Sequence, residues 1–437
     1  MMDRCSLKDD IIDPRTVIPL ANFMGQAGFG SFAPVGERLR SSPVGGPRHY
    51  LAVEIGEACQ LKCRHCIYHR EKSRNPRPNS LVLDEVYETT HDGFDPIWLT
   101  FAGKESTIYP RTLVEAATRL RRPDTLSILM TNGLLLNDDL IDSLANQIDL
   151  FDISLDGPKA AHDWMRGAGT YERTWERIEA VLERTTSRVG IIATAVRGEV
   201  APGVQQYEQI GQLAAEVVTK CGTSGRVVLT LSLYYGPVGD PMLLQPEDIA
   251  GLVRTLAATE CPSRVLVTAN YAHQWPAVAK QLGLTDRKVG YDVATGLPVV
   301  RFGSVNLILF NLTEVPQVSA RVSNDGLVFI GCNHLVLGDA AAGHAVGDLA
   351  EESLQGVFDR LSDGRHTIYD NFREPPAACN GCPVFDSCRA GDRLSGLLFD
   401  MGAIDPYCPR IHGPAPRANV AHETANLGTV EVSDDAH

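Results

Sequence analysis

From Tyr50 onward the chain alternates short apolar runs with amphipathic stretches, and this rhythm constrains the fold more than any other feature. Apolar runs occupy 50–55, 96–101, 126–131, 149–155, 189–196 and 226–234. Stretches with apolar residues at helical spacing occupy 83–91, 110–121, 137–146, 171–185, 204–219 and 245–259. Strands that alternate with helices at this spacing predict βαβ units and a parallel sheet. Six units predict an α/β barrel, incomplete beside one of eight. Asn132-Gly133 and Asp156-Gly157 punctuate strand ends, where such folds place their ligand loops.

Cysteine is the second informative feature. The 437 residues hold 11 cysteines. An odd number, with no apolar segment after the charged start Met-Met-Asp-Arg, argues for metal or catalysis in a reducing, cytoplasmic compartment. Seven fall in two groups: Cys59, Cys63 and Cys66, then Cys379, Cys382 and Cys388 with Cys408 following. The first group is Cys-x3-Cys-x2-Cys directly after the first strand. Three thiolates on one short loop suit three irons of a [4Fe–4S] cluster and leave the fourth iron open. A zinc site completed by His65 or His69 is the other reading. The net charge of −14 makes a nucleic-acid or anionic-membrane partner a poor expectation. No apolar run approaches the roughly 20 residues that span a bilayer.

The motifs that follow resemble, in order, those of the radical S-adenosylmethionine (SAM) family over about residues 50–235. After the second strand comes Ala102-Gly103-Lys104-Glu105, similar to that family's Gly-Gly-Glu motif but with Lys104 at the middle position. The third strand ends Met130-Thr-Asn-Gly133. The fourth reads Ser154-Leu-Asp156-Gly157, then His162-Asp163 and Arg166-Gly167, as in the subgroup that includes anaerobic sulfatase-maturating enzymes. The resemblance implies SAM chelated to the open iron and cleaved to a 5′-deoxyadenosyl radical that abstracts hydrogen. It also implies SAM contacts from Gly103, Glu105, Ser154 and Arg166, with Tyr68 near the adenine. His65 stands where the family usually has an aromatic residue.

The second cysteine group, Cys-x2-Cys-x5-Cys followed by Cys408, suits either a fully ligated [4Fe–4S] cluster or a four-thiolate zinc knuckle. Beside the first motif it resembles the SPASM extension of radical SAM enzymes in its shortened "twitch" form. Asp392 stands where the next cysteine belongs, and an earlier pair is reduced to Cys332. One auxiliary cluster is therefore expected, making two [4Fe–4S] clusters in all. Cys332 is left as a candidate hydrogen donor, and Tyr235, at the end of the sixth strand, as a candidate pocket residue. Cys5, Cys221, Cys261, Glu314 and Asn333-His334 carry weaker claims, and Gly28-Phe-Gly30 is not a nucleotide fingerprint.

The expected fold is α/β: a partial (βα)6 TIM-like barrel with a C-terminal Cys-rich SPASM/twitch-like domain. The expected organisation is an extended arm at 1–47, the barrel at 48–262, a connecting segment at 263–317, the auxiliary domain at 318–411 and a disordered tail at 412–437. Residues 299–310 and 318–331 read as strands, with Asn324-Asp325-Gly326 as a hairpin turn. The irregular start and the acidic balance favour a small cationic substrate, an aminoglycoside- or aminocyclitol-like antibiotic intermediate. The reaction expected is alcohol oxidation, with the auxiliary cluster as electron acceptor and a flavodoxin or ferredoxin as reductant. Epimerisation with Cys332 as hydrogen donor, peptide maturation and a non-enzymatic zinc-binding role are the alternatives.

Overall fold

The computed structural model describes residues 50–412 except 57, 67–82, 89–97, 123–124, 222–225, 237, 260, 262, 285–289, 292–297, 310–318, 331–342, 364, 366–373, 389 and 399–403. Tyr68, His69, Glu314, Cys332, Asn333, His334, Cys5, the arm at 1–47 and the tail from 413 lie outside the described residues. The six expected strands form as β1 Tyr50–Glu54, β2 Trp98–Ala102, β3 Leu126–Thr131, β4 Leu150–Ser154, β5 Arg188–Ala195 and β8 Val227–Leu233. They pair in parallel, in sequence order. This is the α/β partial barrel.

The intervening helices cover its outside. Pro110–Leu120 starts on a proline and buries Leu113, Ala116, Ala117 and Leu120, spaced as one helix face. Thr170–Arg184 does the same with Thr174, Trp175, Ile178 and Val181. The helix expected at 204–219 begins only at Ile210. Before it, Glu199–Ala201 (β6) and Val204–Gln205 (β7) form a hairpin around Gly203, whose φ is +73°. The buried Gln206 side chain fixes that turn: its amide donates to Asp156 O at 2.6 Å and accepts from Val196 N at 2.9 Å.

The rhythm continues past 262. β9 Ser263–Val267 pairs parallel to β8, and helix Trp275–Leu282 follows. Its polar start, Ser263-Arg264, masks the strand in the sequence, yet both residues are buried. The single run at 299–310 is a hairpin, β11 Pro298–Phe302 and β12 Val305–Leu309, turning at Gly303 with φ +60°. β10 Gly290–Tyr291 pairs with β11, and β12 pairs parallel to β9. At the opposite edge β13 Ser319–Val322 lies parallel to β1 and turns through Asn324–Gly326 into β14 Leu327–Ile330, which pairs with β15 Gly347–Asp348. Among the described residues the main sheet has 13 strands.

The two faces of the barrel strands differ. Leu51, Val53, Leu99, Phe101, Phe151, Ile153, Val189, Ile191, Leu229 and Leu231 belong to one core with the helices and are at most 1% exposed. The alternate positions point into the lumen. Ala52, Glu54, Thr100, Asp152, Ser154, Ile192, Thr194 and Ser232 there are only half-buried. Among the described residues no helix is long and apolar enough to cross a membrane.

Candidate active site at the strand ends

The loop from Cys59 to Cys66 leaves β1 and lies over the C-terminal ends of the strands. Three hydrogen bonds and one cation–ring contact hold it. Gln60 donates to Asn132 Oδ1 beyond β3 at 3.1 Å. Arg64 N donates to Met165 O at 3.0 Å, and Arg64 Nε to Trp164 O at 2.8 Å. The Arg64 guanidinium stacks 4.8 Å above the Trp164 ring. Cys59 is exposed, Cys63 buried and Cys66 half-buried. Leu61 N points at Cys59 Sγ at 3.4 Å. Burial pushes the Cys63 thiol up to about 11, against the pull of Arg166. A crowded, desolvated thiol set holds its charge poorly alone and is suited to a cationic centre. Among the described residues no group of three or more His, Cys, Asp or Glu side chains is gathered closely enough to hold a metal ion.

Arg166, at the end of helix Lys159–Arg166, is a largely covered member of this site and not a surface charge. Its Nε pairs with Asp156 Oδ2 at 2.5 Å, and its Nη1 lies 3.9 Å from Cys63 Sγ. Its Nη2 is 3.5 Å from His65 Nε2. Asp156 is wholly buried. Burial alone would raise its carboxyl, but Arg166, then His65 and His162, hold it down at about 2. Asp156 Oδ1 also accepts Thr194 N at 2.8 Å, and Asp156 N donates to His162 Nδ1 at 3.1 Å. Burial pushes His162 down to about 4, which matches its accepting role. Asp163 accepts from the backbone N–H of Gly169, Thr170 and Tyr171 at 3.0–3.1 Å and so fastens the start of the next helix.

Glu105 is 1% exposed. Its carboxylate accepts from Thr107 Oγ1 at 2.6 Å, Thr131 Oγ1 at 2.7 Å and Asn132 N at 2.8 Å, locking the loop after β2 to the end of β3. Gly103 has φ +119°, and a Cβ there would fall 2.8 Å from Gly56 O, so only glycine passes beneath the cysteine loop. Ser154 ends β4 on the lumen face. Asp156, Asn132 and Gln206 are the positioning residues that sequence reasoning missed. Asn132 and Asp156 were signalled by the strand-end pairs Asn132-Gly133 and Asp156-Gly157, read as ligand-loop positions without a role for either side chain; Gln206 had no such signal.

The second cysteine group lies in the segment that docks beside the end of β8. Cys379 ends a short 3-10 turn, Cys388 ends helix Phe385–Cys388, and Cys408 precedes helix Pro409–His412. The thiols of Cys379, Cys382 and Cys408 lie within electrostatic reach of Cys388, and burial, the acid group of Asp405 and those thiols push it up to about 12. Asp405 packs against Gly391 and accepts from Tyr407 N at 2.9 Å. Tyr407 donates to Gly236 O at 2.6 Å, and its ring lies 6.4 Å from that of Tyr235, docking the segment on the end of β8. Tyr235 therefore packs against the cysteine segment. Cys221 ends helix Ile210–Cys221, and Cys261 is buried in the core.

Residues 53–203 match the model of the radical SAM superfamily. The serine-type anaerobic sulfatase-maturating enzyme of Bacteroides thetaiotaomicron is 27% identical over 138 residues, 29% of this chain and 33% of that protein. The cysteine-type enzyme of Clostridium perfringens is 26% identical over 149 residues, 31% of this chain and 40% of that protein. The chain thus spans between a third and two fifths of the length of these curated relatives. Among solved structures, anSMEcpe with bound AdoMet aligns with a TM-score of 0.54 at 16% identity, covering 83% of this chain and 95% of that one. Streptococcus suis SuiB bound to precursor peptide SuiA aligns with a TM-score of 0.58 at 15% identity, covering 87% and 79%.

These matches overturn the expectation of an aminoglycoside- or aminocyclitol-like small molecule oxidised at an alcohol. The relatives are sulfatase-maturating enzymes, and SuiB is bound to a peptide. The acidic balance misled because net charge sums the whole surface, whereas a substrate meets only the site. SAM and a [4Fe–4S] cluster are the cofactors of the matched family, and the thiol chemistry of both cysteine groups fits such clusters. By its motif match and its fold, the segment 53–203 is a radical SAM domain.

Proposed function

We propose that this chain is a radical SAM enzyme that modifies a peptide or protein substrate. The observation that carries it is the meeting, at one barrel mouth, of the Cys59–Cys66 loop, the Arg166–Asp156 pair and the Glu105 loop. Cys59, Cys63 and Cys66 would hold the [4Fe–4S] cluster that binds SAM, and Cys379, Cys382, Cys388 and Cys408 a second, fully ligated one. The chemistry supplied when these groups are bound is reductive cleavage of SAM to a 5′-deoxyadenosyl radical. Arg166, held by Asp156, presents a fixed cation suited to the SAM carboxylate. Gly103 and Ser154 line the approach, and Glu105 fixes the backbone that would meet the amino group. The peptide reading draws on the sulfatase-maturating relatives and the peptide-bound neighbour.

The test is anaerobic reconstitution, reduction by dithionite and incubation with SAM and sulfatase-derived peptides centred on serine or cysteine. The expected result is 5′-deoxyadenosine, with deuterium incorporated from a peptide deuterated at that residue. Loaded protein that forms no 5′-deoxyadenosine refutes the radical SAM reading. Formation without deuterium transfer from any peptide refutes the peptide reading.

A further inference from the structure

In a closed barrel, bulky side chains from alternate strands fill the interior in layers. The lumen here is different. Met130, Asp152, Gly190 and Val228 follow one another along one register row across β3, β4, β5 and β8. Met130 is 45% exposed although it lies within a central strand. Gly190 contributes no side chain, and the Asp152 carboxylate leans over it: a Cβ there would fall 2.0 Å from Oδ1.

Asp152 accepts no hydrogen bond from any described residue. Its charged neighbour is Arg264 on β9, within electrostatic reach. Burial pushes its carboxyl up to about 7, with Arg264 opposing. Asp152 is only half-buried, so its carboxylate can be reached from the lumen. Mechanism and core packing leave this one unused. It faces the open lumen, beside an apolar thioether.

We propose that Asp152 and Met130 form a subsite in the barrel lumen for a long side chain with a cationic end, as in lysine, from the peptide substrate. The identity of the guest as a peptide side chain rests on the function proposed above; the subsite itself does not. The aliphatic stem would lie along Met130, whose flexible thioether adapts to such chains, and the ammonium would meet the carboxylate. The absent side chain at Gly190 keeps the space that both need.

The experiment uses full-length protein with its clusters loaded and its methionines 13C-methyl labelled. The Met130 resonance is assigned with Met130→Leu. The probes are n-butylammonium chloride, which copies the end of a lysine side chain, and n-butanol as neutral control, both at pH 8. A saturating shift of the Met130 methyl is expected with the ammonium, with the alcohol at least about tenfold weaker, as for a charge-assisted bond. Asp152→Asn, which keeps the shape, should lose that preference. Equal responses to the two probes, no response, or an Asp152→Asn protein that keeps the preference would each overturn the subsite and leave water as the carboxylate's partner. The comparison of probes in the unmodified chain decides even if the variant folds poorly. No turnover is needed, so a failed peptide assay and a failed subsite are told apart.

Discussion

Asp156→Asn removes one charge from the pair that aims Arg166 at the cysteine loop. Asp156 is 0% exposed and the Arg166 side chain 10%, so both charges are desolvated. A carboxyl lowered from 3.8 to about 2 contributes on the order of 2 kcal/mol at neutral pH. Breaking a buried pair also strands the remaining charge, which costs about 3–5 kcal/mol. A loss of about 3 kcal/mol is expected. Because the folded pKa is depressed, the stabilisation is complete above the unfolded value near 4 and fades only as pH falls toward 2. The gap between wild type and variant should therefore be flat from about pH 5 to 8. The assay is native-state hydrogen exchange at Thr194, whose N–H donates to Asp156 Oδ1. Arg166→Gln should cost a similar amount, and the double variant clearly less than the two singles together, because no lone buried charge remains. Strictly additive losses, or a single loss below about 1 kcal/mol, would refute the assignment of a desolvated ion pair.

Reconstituted protein should carry about eight irons, and replacing Cys59, Cys63 and Cys66 by Ala should leave about four by iron analysis. Asp163→Ala strips the acceptor from three backbone N–H groups and should cost about 1 kcal/mol in thermal unfolding, with iron content unchanged. Tyr407→Phe removes the bond to Gly236 O and should cost about 1 kcal/mol, read as faster proteolysis of the C-terminal cysteine segment.

The six barrel strands between Tyr50 and Leu233 were legible in the sequence because their signals are local. The run 126–131 is β3 to the residue, since its ends are marked by Thr125 and Asn132-Gly133. β9 was not legible: Ser263 and Arg264 look like loop residues, and only the pairing with β8 and β12 makes their burial tolerable. The β6–β7 hairpin escaped for a similar reason. The stretch from Glu199 to Gln205 is short and broken by Pro202-Gly203, and the contact that shapes it joins Gln206 to Asp156, 50 residues earlier.

The site shows the same division between local and distant signals. Arg166 could be named from its motif, but its role depends on Asp156 ten positions away and on a loop 103 positions away. Asp163 belongs to that motif too, yet its carboxylate is spent on the backbone of the following helix, so a shared motif does not imply a shared task. Asp152 shows the converse. It sits in an apolar strand, Leu-Phe-Asp-Ile-Ser, where alternation alone assigns it to the face away from Phe151 and Ile153. In a sheet with both faces packed, that position would exclude a lone carboxylate. It is tolerated here because Asp152 is only half-buried and its neighbour on β5, Gly190, has no side chain. The residue that breaks the apolar pattern therefore marks a place where the lumen face is only partly covered.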